Sequence, residues 1–275
     1  MDSTPRNPLA GPRLWNRAAP DYLRDAAGGL ALFAADALHL AGVGPGMRIA
    51  DVACGPGALS FAAARAGARA SALDFSTEMI ALLARCAREE GIDGVEAQVG
   101  DGMALPWPEA RFDAAFSMFG LIFFPDRARG LAELRRVLRP GGRAVVSSWV
   151  AADRVPIISD IWAVLSAEAP SVPYSRVRPV LGDPAALRSE LTAAGFGAVE
   201  VHEVEHRLDV PSVVDYWRAL ERSTPPLLAV QESLPAARWK ELSGAIARRL
   251  EERFGRGPLS VPLMALLGAG TRPLT

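Results

Sequence analysis

This 275-residue sequence has few cysteines and almost no lysine. It contains two cysteines, Cys54 and Cys86, and a single lysine, Lys240, among 30 basic residues. Two cysteines this far apart give neither a disulfide framework nor the paired spacing of a zinc site, so we predict no metal and a cytoplasmic location. One lysine leaves a single candidate for Schiff-base chemistry, within a helical segment rich in charge.

The sequence also lacks an excess of charge and a long apolar run. Its formal net charge of -1 offers no basic field for several phosphates, which disfavours a nucleic-acid partner. No apolar stretch is long enough for a membrane helix, and the first residues lack a basic segment followed by an apolar core. We therefore expect no membrane span and no export signal.

The sequence does have an ordinary globular composition and a regular alternation of strand and helix patterns. Hydrophobic residues make up 50% and charged residues 22%, and the length favours one main domain. The alternation predicts an α/β fold with a doubly wound parallel sheet, whose ligands bind at the carboxyl ends of the strands. The predicted strands are 48–52, 69–73, 95–99, 112–117 and 143–149, with helices at 58–66, 77–90 and 127–138 and a turn at 139–142.

Both ends of the chain are predicted to add helices to this sheet. The segment 14–40 has helical spacing and is expected to break near Gly28 and Gly29. The later predicted elements are helices at 155–167, 184–194, 211–221 and 236–254 and strands at 198–208 and 261–268. We therefore divide the chain into an N-terminal helical lid (1–46), a core (47–210 and 257–275) and a helical cap insertion (211–256).

The run from Asp51 to Gly57 carries the strongest functional signal. It follows a strand and precedes a helix, and Gly55 and Gly57 allow the backbone to approach a ligand closely. Asp74 follows the second strand, where a carboxylate is suited to accept hydrogen bonds from the two hydroxyls of a ribose. These features indicate a nucleotide-like cofactor but do not separate a nicotinamide dinucleotide from S-adenosylmethionine.

Two further positions bear on which cofactor is bound. A dinucleotide fold has a third glycine where this chain has Ser60, and Asp51 would repel a pyrophosphate, although it could organise a turn that faces an ammonium group. After the third strand, Asp101 can accept a hydrogen bond from an adenine amino group and Met103 can offer the ring an apolar face. These points disfavour an NAD(P)-dependent oxidoreductase without eliminating it.

From residue 48 to residue 149 the ordered motifs resemble those of the class I S-adenosylmethionine-dependent methyltransferases, in the small-molecule group that includes ubiquinone and menaquinone biosynthesis enzymes. The resemblance implies a seven-stranded Rossmann-like sheet with a reversed last strand. It places the methionine end of the cofactor at Asp51, Gly55 and Gly57, and Ser117 beside the sulfonium. Ala53 departs from the glycine that many members have there. The predicted cofactor-binding residues are Asp51, Ala53, Gly55, Gly57, Asp74, Phe75, Met79, Asp101, Gly102, Met103 and Ser117.

The acceptor is expected to meet an apolar wall. The sequence from Ser117 to Gly120 lacks the Asn-Pro-Pro-aromatic signature of the amino-group methyltransferases that act on DNA or protein, and bulky apolar residues follow it. His206 is the better placed of two histidines on one late strand to act as a base, although an edge-strand histidine is usually solvated. No catalytic residue is assigned. The predicted acceptor-binding residues are Trp15, Tyr22, Phe119, Phe123 and Trp149.

The sequence thus predicts a methyltransferase that uses S-adenosylmethionine and acts on a small molecule, with an aromatic or polyketide-like acceptor of specialised metabolism as the working hypothesis. The sequence leaves two alternatives open. One is an NAD(P)-dependent oxidoreductase, and the other is a non-catalytic module that binds S-adenosylmethionine and uses the cap as an interaction surface.

Overall fold

A computed structural model describes residues 7–169 and 181–274, and in them seven strands form one sheet of order β3-β2-β1-β4-β5-β7-β6. Residues 1–6 of the predicted lid, with residues 170–180 and 275 of the predicted core, lie outside the described residues. The strands β1 to β7 are Arg48–Val52, Arg69–Asp74, Val95–Val99, Phe112–Ser117, Leu138–Trp149, Gly197–Val210 and Leu259–Thr271.

The strand directions explain where a ligand can bind. Strands β1 to β5 pair in parallel, whereas β7 runs antiparallel to both β5 and β6, as predicted for a reversed last strand. The chain leaves β1 toward β2 and β3 and returns to form β4 on the other side of β1. This reversal in strand order opens a crevice at the carboxyl ends of β1 and β4.

Ten helices lie within the described residues and cover both faces of the sheet. Neighbouring residues of a strand point to opposite faces, so Ile49 and Ala50 belong to different apolar clusters. The Ile49 side packs on Phe33 of α2, and the Ala50 side packs on Leu131 of α5. The helices α1 to α10 are Arg13–Asp25, Ala27–Leu40, Ala58–Arg65, Thr77–Glu89, Arg127–Val137, Pro156–Glu168, Pro184–Ala193, Val213–Ser223, Pro225–Glu232 and Ala236–Phe254.

The break in the N-terminal helical segment lies at Ala26, not at Gly28 and Gly29 as predicted. Both glycines belong to α2. A Cβ atom on Gly29 would lie 3.0 Å from Cδ1 of Leu263, whereas one on Gly28 would meet nothing within 4 Å. Gly29 therefore serves the close packing of α2 on β7, which is a tertiary requirement that a local pattern does not reveal.

The structure also differs from the prediction at the start of β5 and at α9, whereas the other element boundaries shift by up to three residues. The residues 139–142, predicted as a turn, lie within β5, where the pairing with β4 shifts register and Gly141 has φ +77°. Helix α9, which begins with Pro225 and Pro226, was not predicted. Proline is well tolerated in the first turn of a helix because the N–H groups there have no intrahelical partner.

Helix α1 joins an apolar cluster formed with α6, α8, α9 and α10. Arg13 and Arg17 of α1 also form ion pairs with Glu232 of α9, at N–O distances of 2.6 and 2.8 Å. On its other side α1 contacts α4, so it bridges the sheet domain and the late helices. None of the helices in residues 7–169 and 181–274 is both long and apolar enough to cross a membrane.

Candidate functional site

Two adjoining cavities lie at the crevice between β1 and β4. The large cavity has a volume of about 230 Å³ and the small cavity about 40 Å³. Both are lined by Tyr22, Ala53, Gly55, Met118 and Phe119, which therefore mark the junction between them. The predicted residues that line the large cavity are Trp15, Tyr22, Ala53, Gly55, Asp74, Phe75, Met79, Asp101, Gly102, Met103, Phe119 and Phe123.

The two glycines of the β1 turn (residues 51–57) have different roles. Gly55 has φ +52°, and a Cβ atom there would meet nothing within 4 Å, so its backbone faces open space in both cavities. Gly57 has φ +97°, but a Cβ atom there would lie 2.8 Å from Cγ of Leu83. Gly55 thus leaves room for a ligand, whereas Gly57 leaves room for α4.

Asp51 is the first residue of the β1 turn and lines the small cavity. Its Oδ2 accepts a hydrogen bond from Oγ of Ser60 at 2.7 Å. Burial raises the pKa of Asp51 to about 7, since the donors of Ser60 only partly replace the lost water. Ser60 stands at the position of the third glycine of a dinucleotide-binding fold. In this chain its hydroxyl group instead holds the carboxyl group of Asp51.

Asp74 ends β2 and lines the large cavity. Its Oδ2 accepts from the backbone N–H of Gly55 and its Oδ1 from that of Ser76, both at 2.9 Å. Burial raises the pKa of Asp74 to about 6 despite these bonds, which favour the charged form. A carboxylate offers about four acceptor positions, so both oxygens keep capacity for hydroxyl donors.

Asp101, Gly102 and Met103 form the rim of the large cavity beyond β3. Asp101 is exposed, and its Oδ1 accepts from the backbone N–H of Met103 at 2.8 Å. A Cβ atom on Gly102 would lie 2.4 Å from Cζ of Phe124, so only glycine lets that ring pack beneath the rim. Arg129, which was not predicted from the sequence, donates to the carbonyl of Met103 at 2.8 Å and anchors the rim from α5.

The β4 turn (residues 117–125) forms the opposite side of the junction. Phe119 has φ +58°, a conformation that strains a bulky residue, and its N–H donates to Oγ of Ser147 at 2.8 Å. Ser117 is buried and lines neither cavity, because its Oγ accepts from the N–H of Leu121 at 3.1 Å. Ser117 therefore shapes the turn instead of facing a ligand, in contrast to the expectation from sequence.

The predicted aromatic residues divide into two groups. Trp15 lies between Phe75 and Phe123, with ring centroids 6.2 and 5.0 Å away, and all three line the large cavity. Trp149 lines neither cavity. Its ring stacks on Phe119 at 4.2 Å with an interplanar angle of 24°, so it supports the β4 turn from behind.

Of the two polar side chains Tyr22 and His206, the first lines both cavities and the second lines neither. Burial of the Tyr22 hydroxyl, with the negative charge of Asp74 nearby, raises its pKa above the usual range, so it remains neutral. His206 lines neither cavity. Its Nε2 lies 2.7 Å from Oδ2 of Asp36, and its ring packs on Phe33, so the structure does not bring this histidine to the site. Across residues 7–169 and 181–274, no three His, Cys, Asp or Glu side chains are grouped to hold a metal ion.

Comparison with known proteins assigns this architecture to a family. Residues 50–146 match the model of the methyltransferase domain. A demethylmenaquinone methyltransferase from Clavibacter sepedonicus is 35% identical over 207 residues, which cover 70% of this chain and 79% of that protein. The chain belongs to the class I S-adenosylmethionine-dependent methyltransferase family. The family, the α/β seven-stranded fold and the cofactor predicted from sequence are thereby confirmed, and the oxidoreductase alternative is set aside.

Other relatives of this methyltransferase chain match a shorter part of it. An uncharacterised protein from Mycobacterium tuberculosis is 38% identical over 109 residues, and the match covers 40% of this chain and 39% of that protein. The chain thus spans well under half the length of that relative. Among solved structures, the [4+2]-cyclase SpnF has a TM-score of 0.63 at 20% identity, covering 98% of both chains, and this likeness concerns the fold alone.

Proposed function

We propose that this chain binds S-adenosylmethionine across the two cavities and transfers its methyl group to a small apolar acceptor. The observation that carries the proposal is the junction of the cavities, where the β1 turn and the β4 turn meet. A buried carboxyl group lies on each side of that junction, Asp51 at the small cavity and Asp74 at the large one. An adenosine linked to an amino acid fits such a divided site.

The chemistry of each part of the site suits a different part of this cofactor. The small cavity, with Asp51 and the open backbone of Gly55, suits the ammonium and carboxylate of the methionine end. Asp74 suits the ribose hydroxyls, and Asp101 with Met103 suits the adenine ring. S-adenosylmethionine, when bound, supplies a methyl group on a positively charged sulfur, so the protein needs mainly to position the acceptor and exclude water.

The walls of the large cavity favour a flat, apolar acceptor. Trp15, Phe123 and Phe124 line it together with Met118. The ionisable side chains among the described residues that line it are Asp74, Asp101 and Tyr22, and Tyr22 is kept neutral by burial. An acceptor that ionises readily, such as a phenol or an enol, needs no strong base for methyl transfer. These features support an aromatic or polyketide-like acceptor, such as those of specialised metabolism.

The flanking helices support the proposed division into a lid (1–46), a core and a cap (211–256). Helix α1 contributes Trp15 and Tyr22 to the large cavity, which suits a lid. Helices α8, α9 and α10 follow β6 and precede β7 in the sequence, and they share an apolar cluster with α1. We further propose a cytoplasmic location, supported by the two free, buried cysteines.

Isothermal titration with S-adenosylhomocysteine tests the cofactor part of the proposal. Wild-type protein is expected to bind it in the micromolar range, and Asp74→Asn is expected to weaken binding by about 10- to 100-fold because a charged acceptor is lost. Asp183→Asn is the matched control, because Asp183 caps α7 away from the cavities and asparagine caps a helix equally well. Folded wild-type protein that binds NAD(P) but not S-adenosylhomocysteine would contradict the proposal.

A labelled methyl donor tests the catalytic part. The protein is incubated with it and a cell extract, and a labelled small molecule is expected, whose structure then identifies the acceptor atom. Asp74→Asn should reduce the labelling in proportion to its loss of cofactor binding. Binding of S-adenosylhomocysteine without any labelled product, across extracts that contain aromatic and polyketide-like compounds, would favour the non-catalytic module instead.

A further inference from the structure

Ala53 holds a conformation that does not suit it. Its φ of +59° lies in the left-handed region, where the methyl group of an L residue is crowded and glycine is not. Such strain persists only where the surrounding structure enforces it, and it concentrates at functional sites. A glycine at position 53 would remove this strain, yet the chain has an alanine there.

Gly120, on the β4 turn, shows the opposite mismatch. Its φ of -90° and ψ of -47° are open to any residue, so the backbone does not require glycine. A Cβ atom there, however, would lie 2.3 Å from Cβ of Ala53, far inside van der Waals contact. The next nearest atom, Oγ of Ser117, would be 3.3 Å away. The glycine at position 120 is thus explained by the methyl group at position 53.

The pair lies where the cavities meet. Ala53 lines both cavities, and Gly120 lines the large one. In S-adenosylmethionine the sulfur joins the methionine chain to the ribose. If the methionine end occupies the small cavity and the ribose lies at Asp74 in the large one, the sulfur must lie at the junction.

We propose that Ala53 and Gly120 form a matched steric pair, with one methyl group between the two turns, that positions the sulfur of the cofactor for methyl transfer. The proposal rests on the proposed function. With the methyl group at position 53, the β1 and β4 turns keep a fixed separation at the junction. Two methyl groups would force the turns apart, and none would leave a gap beside the sulfur. Both residues act as positioning residues.

The test is a double-mutant cycle of Ala53→Gly, Gly120→Ala and the double variant, titrated with S-adenosylmethionine and with S-adenosylhomocysteine. These two ligands differ by the methyl group on the sulfur. Gly120→Ala is expected to weaken both affinities by about tenfold or more, the scale of one misplaced methylene in a closed site. The double variant, which moves the methyl group from one turn to the other, should recover affinity to within about threefold of wild type.

Ala53→Gly provides a readout that a purely structural role would not move. It is expected to change the ratio of the two affinities by about threefold, because the gap lies beside the sulfur, while the thermal midpoint stays at or above that of wild type. Gly244→Ala is the control, because it adds a methyl group to α10 with only an ordinary contact, 3.5 Å from Arg248. This control should bind both ligands as the wild type does.

The outcomes separate the two proposals. Wild-type protein that binds neither ligand contradicts the proposed function itself. Wild-type affinity in Gly120→Ala, or a double variant as weak as Gly120→Ala, overturns the steric pair and leaves the function standing. Should Gly120→Ala fail to fold by circular dichroism, the double variant and Ala53→Gly decide the question: the pair is overturned if the double variant also fails to fold or if Ala53→Gly leaves the affinity ratio unchanged.

Discussion

The β1 turn and the β4 turn meet at the same junction but reach their shapes by different means. The β1 turn has positive φ at Ala53 and at two glycines, contains the buried carboxyl group of Asp51 and is hydrogen-bonded to that of Asp74. The β4 turn has positive φ at a phenylalanine and contains no ionisable side chain. Glycine largely removes the conformational cost from the first turn, whereas contacts from other strands must offset it in the second.

The contrast shows what makes each turn sensitive. The β1 turn depends on the space available to its backbone, because a Cβ atom on Gly57 would collide with Leu83. The β4 turn depends on support from β5, where Ser147 accepts from the N–H of Phe119 and Trp149 stacks on its ring. Substitutions in the two turns should therefore differ in size, in pH dependence and in their effect on ligand binding.

The largest loss of stability is expected from Gly57→Ala. The new alanine must adopt φ near +97°, and its methyl group would lie 2.8 Å from Cγ of Leu83. Left-handed strain and overpacking together should lower the free energy of unfolding by about 2–5 kcal/mol, measured by urea denaturation.

Gly55→Ala is the matched control for that substitution. Its φ is also positive, but its Cβ would meet open space, so only the backbone strain of about 1–2 kcal/mol should remain. For cofactor affinity the order should be the reverse: Gly55→Ala should weaken binding more than Gly57→Ala. The reason is that the new methyl group at position 55 points into space that we assign to the cofactor. Equal losses of stability in the two variants would show that space is not what distinguishes these glycines.

The next largest effect is expected in the β4 turn, from Ser147→Ala. The variant leaves the N–H of Phe119 buried without its acceptor, at a residue already strained, and should cost about 1–3 kcal/mol. Ser148→Ala is the control, because the hydroxyl of Ser148 bonds to the carbonyl of Trp149 beside it, at 3.2 Å, and supports no turn. A smaller loss for Ser147→Ala than for Ser148→Ala would remove Ser147 as the support of the β4 turn.

The pH dependence of stability should separate the turns further. Because the pKa of Asp51 rises from 3.8 in the unfolded chain to about 7 in the folded protein, the folded state binds more protons between these values. Stability therefore falls as pH rises through this window. Asp51→Asn cannot ionise, so its free energy of unfolding relative to wild type should rise by about 1–3 kcal/mol from pH 5 to pH 8 without cofactor.

Ser147→Ala provides the control for that measurement. The β4 turn contains no titrating group, so its loss of stability relative to wild type should be the same at pH 5 and pH 8. An Asp51→Asn variant whose difference from wild type does not change with pH would show that the buried carboxyl group does not titrate in this range.

The sequence predicted most of the sheet because each strand carries its own apolar signal. Strands β1, β3 and β4 begin and end at the predicted residues. The errors arose where distant residues decide the local structure. Gly29 looked like a helix break but packs against Leu263. Helix α9, which no predicted element covered, packs in the apolar cluster of the late helices.

The site was predictable in the same unequal way. Residues that line the large cavity with their backbone or carboxyl group, such as Gly55 and Asp74, stand at or just after strand ends and can be recognised in sequence. The roles of Ser117 and Ser147 depend on which buried N–H each one meets, and no spacing in the sequence encodes that. Gly120 was missed because the residue that leaves no room for a side chain there is Ala53, 67 positions earlier in the chain.

The smallest effect is expected from Trp149→Leu. This variant tests whether Trp149 supports the β4 turn or contacts the acceptor. Leucine removes the stack on Phe119, worth about 0.5–1.5 kcal/mol in addition to the area that it buries. Because Trp149 lines neither cavity, the affinity for S-adenosylhomocysteine should stay within about twofold of wild type. Trp15→Leu, at a residue that does line the large cavity, is the comparison and should weaken acceptor binding. If Trp149→Leu instead weakens acceptor or cofactor binding while the thermal midpoint is unchanged, its ring faces the ligand, and the support of the β4 turn rests on Ser147 alone.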